Sequence, residues 1–149
     1  MEKLIVLAGW QNSGKTTTLN NVIKKLLSDK YAGKQYEVLC GDNVFWNTTD
    51  SGAMIIDDEI GIVTYGDKKS ETDKIFKILK EKGCRILICC CHVANKCNGT
   101  FKSVHEFIGD LDLTQTMVYP FFKNCLSYHG KEIEDLENEM MADIIVSLV

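Results

Sequence analysis

The stretch Lys3-Leu4-Ile5-Val6-Leu7-Ala8-Gly9-Trp10-Gln11-Asn12-Ser13-Gly14-Lys15-Thr16 decides how the rest of the chain is read. Leu4–Ala8 is an unbroken apolar run, the pattern of a central parallel strand covered on both faces. Glycine, polar residues and a lysine follow. Thr16–Asp29 then sets Leu19, Val22, Ile23, Leu26 and Leu27 on one side of a helix. A buried strand, a glycine-bearing loop and a helix start are therefore predicted within the first 30 residues.

The loop matches the spacing G-x-x-x-x-G-K-S/T at every fixed position from Gly9 to Thr16. With glycine near ~7% of residues, a chance match in a chain of this length is roughly a one-in-two-hundred event, before the flanking strand and helix are required as well. Each residue type has a physical reason. Glycine permits backbone conformations closed to other residues, so that amide N–H groups can turn inward around a phosphate. The following helix adds its positive N-terminal end. Lys15 supplies a mobile ammonium for β- and γ-phosphates, and the Thr16 hydroxyl is a hard oxygen ligand for Mg²⁺.

On these residues the chain resembles the P-loop NTPase superfamily. The resemblance implies an α/β fold with three layers, α/β/α, and a mostly parallel sheet of about five strands. It also implies binding of a nucleoside triphosphate with Mg²⁺, and phosphoryl transfer or hydrolysis. Gly9, Gln11, Asn12, Ser13, Gly14, Lys15, Thr16 and Thr17 are the expected nucleotide contacts.

Working outward, Glu37–Cys40 reads as a second strand, and Ala53–Ile56 with Ile60–Tyr65 as a hairpin whose second strand enters the main sheet. Ser70–Lys82 reads as a helix in which Ser70 and Asp73 resemble a capping pair. Arg85–Cys91 is a further buried strand and Phe101–Ile108 a short helix. Thr116–Tyr119 is a strand stopped by Pro120. Glu132–Leu148 is an amphipathic helix whose predicted inward stripe is Ile133, Leu136, Met140, Ile144 and Leu148, with its Glu and Asp residues on the solvated face.

The 149 residues suit one domain, and a net charge of −4 disfavours a nucleic-acid partner, which calls for a clustered basic excess. The seven cysteines, three of them consecutive at Cys89–Cys91, read as reduced structural thiols of an apolar strand. Apolar runs such as Ile86–Cys91 are too short to cross a bilayer, and Leu4–Ala8 reads as a strand rather than a leader, so a cytoplasmic protein with no membrane partner is expected.

A second metal residue is expected at a strand end. Asp67, after Ile60–Tyr65, is preferred over Asp57 and Asp58. A GTPase reading draws on Thr48 or Thr49, on Asp58-Glu59-Ile60-Gly61, and on Asn95-Lys96-Cys97-Asn98. In the last of these an amide stands where guanine needs a carboxylate, so ATP is favoured over GTP. A kinase reading assigns Asp42 to a small-molecule phosphoryl acceptor, with Phe45 and Trp46 to stack on a base or to serve as core aromatics. The single arginine, Arg85, leaves no guanidinium-rich lid, with Lys96, Lys102 or Lys123 as substitute charges. The enzyme reading makes Lys15, Asp67 and Asp42 catalytic, with Thr16 and Asp67 on the metal. Its rival is a nucleotide-dependent switch or assembly subunit that needs a protein partner or a second copy. His92 stands just past a central strand, where it approaches the phosphates or serves structure alone.

Overall fold

In a computed structural model, residues 1–66, 68–93, 99–124 and 130–149 are described. The elements run β1 (Lys3–Gly9), α1 (Lys15–Ser28), β2 (Tyr36–Cys40), a short 3₁₀ turn (Phe45–Asn47), β3 (Ala53–Ile56), β4 (Ile60–Val63), α2 (Lys69–Glu81), β5 (Ile86–His92), α3 (Thr100–Gly109), β6 (Met117–Lys123) and α4 (Lys131–Leu148). The strands form one sheet in the order β2-β3-β4-β5-β1-β6. β4, β5, β1 and β6 pair in parallel, while β3 pairs antiparallel with both β2 and β4 and is the one reversed strand.

The α/β class is therefore as expected, with six strands rather than about five. The additional strand arises because both arms of the β3–β4 hairpin, and β2 beside them, join the same sheet. Leu4, Ile5, Leu7, Leu87, Ile88 and Cys89 have no exposed surface, as strands buried on both faces require. Alternation along β1 sends Ile5 and Leu7 into one core with α1 and α4, and Leu4 and Val6 into another with α2 and α3.

Three local expectations are corrected. β6 does not stop at Pro120 but continues to Lys123, because β6 is a sheet edge, where a residue lacking an N–H is tolerated. α2 is not capped by Ser70 and Asp73. It starts after Lys68 without a side-chain cap, and Asp73 takes Lys69 at 2.6 Å instead. α4 turns the other way from its predicted stripe. Ile133, Leu136, Met140 and Ile144 are exposed, Asn138, Ala142 and Ile145 face the core, and of the predicted stripe Leu148 alone packs against it. Periodicity located an apolar face but could not say that it is the outer one.

Cys84, Cys89, Cys90 and Cys91 are buried and Cys40 is exposed, all as free thiols. Burial pushes the Cys91 thiol up to about 11, and holds Cys89 well above its ordinary range, so both stay protonated and inert at neutral pH. Mass-spectrometric mapping after brief alkylation at pH 8 should label Cys40 and leave Cys89 and Cys91 unlabelled until the protein is unfolded.

Gly52 shows how tightly the connection from β2 to β3 is drawn down. A Cβ there would lie 2.5 Å from the Phe45 ring and 2.6 Å from the Cys40 carbonyl oxygen. Gly52→Ala should lower the unfolding free energy by about 1–3 kcal/mol through overpacking, read from urea denaturation.

Candidate functional site

β1 ends at Gly9 and α1 begins at Lys15, so the loop between them lies at the carboxyl edge of the sheet, next to the ends of β5 and β6. Asn12 and Gly14 adopt positive φ (57° and 78°), which asparagine tolerates and glycine adopts freely. Such left-handed steps turn successive amides toward one concave side. α1 opens with no side-chain cap and no acidic residue in its first turn, so the positive end of its dipole faces the concavity uncompensated by an acid of that turn. Gly9 is required by contact: a Cβ would stand 2.6 Å from the Lys123 carbonyl oxygen and 2.7 Å from Ser13 Oγ.

A cleft of about 340 Å³ opens over this loop. The loop residues Gln11, Asn12, Ser13, Gly14, Lys15, Thr16 and Thr17 form one wall, and Ser51, Tyr65, Gly66, Cys90, His92 and Glu134 form the others. Lys15 is nearly buried, its ammonium donating to the Trp10 carbonyl at 2.5 Å with Ser13 Oγ at 3.4 Å. Thr16 Oγ1 donates to the Thr64 carbonyl at 3.0 Å, tying the first turn of α1 to the chain leaving β4. Burial, with Cys40 beside it, raises the Tyr65 phenol, which stays a neutral hydroxyl.

The outer walls are held by backbone and hydroxyl contacts. Thr100 Oγ1 bonds the Gly66 carbonyl and accepts the His92 N–H at 3.1 Å, so one buried hydroxyl joins β5 to the β4 exit. Asn20, on α1, donates to the carbonyls of Thr48 and Asp50 at 3.3 and 2.9 Å and keeps the segment carrying Ser51 against the helix.

Beneath the loop lies a second layer. Lys123, the last residue of β6, has no exposed surface, and its ammonium meets Glu137 Oε2 at 2.7 Å. Asn138 Oδ1 lies 3.1 Å from Thr18 Oγ1, and a Cβ on Gly14 would come within 2.6 Å of that same Oδ1. α4 thus presses three inward residues, Glu134, Glu137 and Asn138, against the loop or the cleft.

Of the expected loop contacts, Gln11 to Thr17 line the cleft and Gly9 does not, and His92 lines it with them. Asp67 lies outside the described residues, as do Asn95, Lys96, Cys97 and Asn98. β4 is not the neighbour of β1, since β5 lies between them. Asp57 and Asp58 sit in the hairpin turn at the opposite edge of the sheet, both at positive φ, with Asp57 paired to Lys34 at 2.9 Å. That removes them as metal residues, and removes Asp58–Gly61 as a switch segment. Thr48 donates within its own turn, to the Phe45 carbonyl and Asp50.

Asp42 is exposed and does not line the cleft, which the same segment enters through Ser51. Phe45 and Trp46 are core residues, packed edge to face with ring centres 5.3 Å apart, and are not open to a base. Lys102 is exposed beside Glu106, while Lys123 is behind the loop rather than in the cleft. Arg85 is committed at the opposite edge to Glu2 and Glu59, at 2.8 Å each.

Sequence reasoning missed Glu134, which shares a helix face with Asn138 one turn on, and Ser51 and Tyr65, which only the path of the connections brings in. Among the described residues, no three His, Cys, Asp or Glu side chains cluster as a ready-made metal cage, and no helix is long and apolar enough to cross a membrane. Compared with family models, with curated proteins and with solved structures, the chain finds no match in any of the three.

The Lys123–Glu137 pair gives an asymmetric prediction. Glu137→Ala strands a lysine with no route to water and should cost about 3 kcal/mol or more. Lys123→Met leaves a carboxylate that is a quarter exposed and can rehydrate, and should cost only about 1–2 kcal/mol. Denaturant unfolding of both single variants and the double variant measures the difference and the coupling.

Proposed function

We propose that this chain is a P-loop nucleotide-binding protein that takes a Mg²⁺-bound nucleoside triphosphate, ATP before GTP, and hydrolyses it slowly. The observation that carries the reading is the Gly9–Thr16 loop itself. Left-handed backbone at Asn12 and Gly14, an uncapped helix start, and the Lys15 and Thr16 side chains all converge on one cleft at the carboxyl end of a central parallel strand. In this reading Lys15 leaves the Trp10 carbonyl for the β- and γ-phosphate oxygens. Thr16 turns its hydroxyl oxygen from Thr64 to the metal. Thr16 would hold Mg²⁺, an ion that needs only one or two protein oxygens, so the donor set fits, and the ion would neutralise phosphate charge.

Attack of water on the γ-phosphorus breaks the bond to the bridging oxygen, which leaves on the diphosphate, and the proton of the water ends on phosphate. Glu134 is the carboxylate lining the cleft among the described residues, and is suited to orient that water. Asp67 stays in the proposal as an alternative acid.

A second reading, a nucleotide-dependent switch or assembly subunit, is favoured by the absence of a guanidinium from the cleft. Arg85 is paired at the far edge, so rapid turnover would need a cation from a partner. Transfer to a small-molecule acceptor through Asp42 has less support, since Asp42 does not reach the cleft.

Thermal unfolding with Mg²⁺ plus ATP, GTP, ADP or no nucleotide tests the reading. Nucleotide at 100 times its Kd should stabilise by about 2.7 kcal/mol, a shift of several degrees, and Lys15→Ala should abolish it. Glu134→Gln should keep the shift and lower phosphate release. No shift with any nucleotide would refute the proposal.

A further inference from the structure

α4 has two working faces. Its inner face meets the loop through Asn138 and Glu137, and the cleft through Glu134. Its outer face carries Ile133, Leu136, Met140 and Ile144, which are 50, 60, 58 and 46% exposed. Their spacing of three, four and four residues draws one straight apolar stripe on a helix, diametrically opposite buried Asn138, Ala142 and Ile145. Four large apolar side chains in one row differ from scattered surface leucines, and a polar-rimmed patch of this kind marks an interaction site.

The rim decides the occupant. α4 carries Glu132, Glu134, Asp135, Glu137, Glu139 and Asp143 against Lys131 alone. Glu139 and Asp143 edge the stripe on the side facing α1, where both share Lys25, at 3.0 and 2.9 Å, and Glu137 turns inward to Lys123; Glu132 and Asp135 add exposed carboxylates, so the helix keeps an acidic excess. A second copy placed stripe to stripe would bring two net-acidic helices together. A helix with an apolar stripe and lysine or arginine margins would match both the row and the rim.

We propose that the outer face of α4 docks a basic amphipathic helical segment of a partner protein, and that this docking and the cleft bias each other through α4. The second half rests on the nucleotide reading. The linkage has a physical path: a shift of α4 moves Asn138 against Gly14 and Glu137 against Lys123, whose backbone in turn touches Gly9.

The experiment uses the full chain and a fluorescein-labelled helical peptide with leucine at i, i+3, i+4 and i+7 and lysine margins. A matched peptide with glutamate margins is the control, and anisotropy is the readout. The lysine peptide should bind, bind more weakly as salt rises, and lose at least tenfold in affinity in Leu136→Gln/Met140→Gln. Both substituted positions are exposed and glutamine is a good helix former, so circular dichroism melting should show an intact fold. Saturating Mg²⁺·ATP should change the peptide affinity by at least about fivefold.

Equal binding by Leu136→Gln/Met140→Gln, equal binding of the glutamate peptide, or no binding would overturn the docking. So would a dimer in sedimentation velocity that Leu136→Gln/Met140→Gln dissolves. An unchanged peptide affinity while ATP still raises the melting temperature would overturn the linkage. If ATP produces no thermal shift, the nucleotide reading and the linkage fall together, and the nucleotide-free arm alone judges the docking.

Discussion

One ion pair in the described structure has a member with no access to water, and much of the candidate site is arranged around it. Lys123 ends β6 beside Gly9, beneath the loop, and Glu137 of α4 is the carboxylate that meets it. A buried lysine is tolerable only if its charge is met, so α4 must lie where Glu137 can reach. That placement puts Asn138 against Gly14 and Thr18, and Glu134 at the mouth of the cleft. The pair is weak evidence for stability in its own right. Its consequence is positional: it ties the last helix to the first loop.

The loop side of the cleft holds two polar side chains on backbone carbonyls. Lys15 rests on the Trp10 carbonyl and Thr16 on the Thr64 carbonyl, both short contacts within the same concavity. The outer wall differs. Thr100, His92 and Gly66 are joined to one another through backbone groups. A cleft with exchangeable contacts on one side and fixed ones on the other is suited to admit a ligand without repacking the sheet.

The sheet order matters for what the cleft contains. Because β5 intervenes between β1 and β4, the strand end nearest the loop carries His92, and the exit of β4 is tied to α1 through the Thr64 carbonyl. The chain's one arginine is spent at the opposite edge, with Glu2 and Glu59.

By itself the sequence determined whatever depends on near neighbours along the chain. The apolar run Leu4–Ala8, the Gly9–Thr16 spacing and the periodic helices are local patterns, and local sterics and burial suffice to read them as a strand, a loop and helices. Tertiary structure alone decided the rest. Two arcs of α4 could face the core, and the row from Ile133 to Ile144 is turned outward where Ala142 and Ile145 pack with α1, Asn138 meets Thr18 and Glu137 meets Lys123. Asp57 and Asp58 stood second to Asp67 as strand-end acids, and the sheet puts them in the hairpin turn at the edge away from the loop. Ser51, Tyr65 and Glu134 carry no motif, because what makes them cleft residues is the path of three separate segments in space, which no spacing along the chain records.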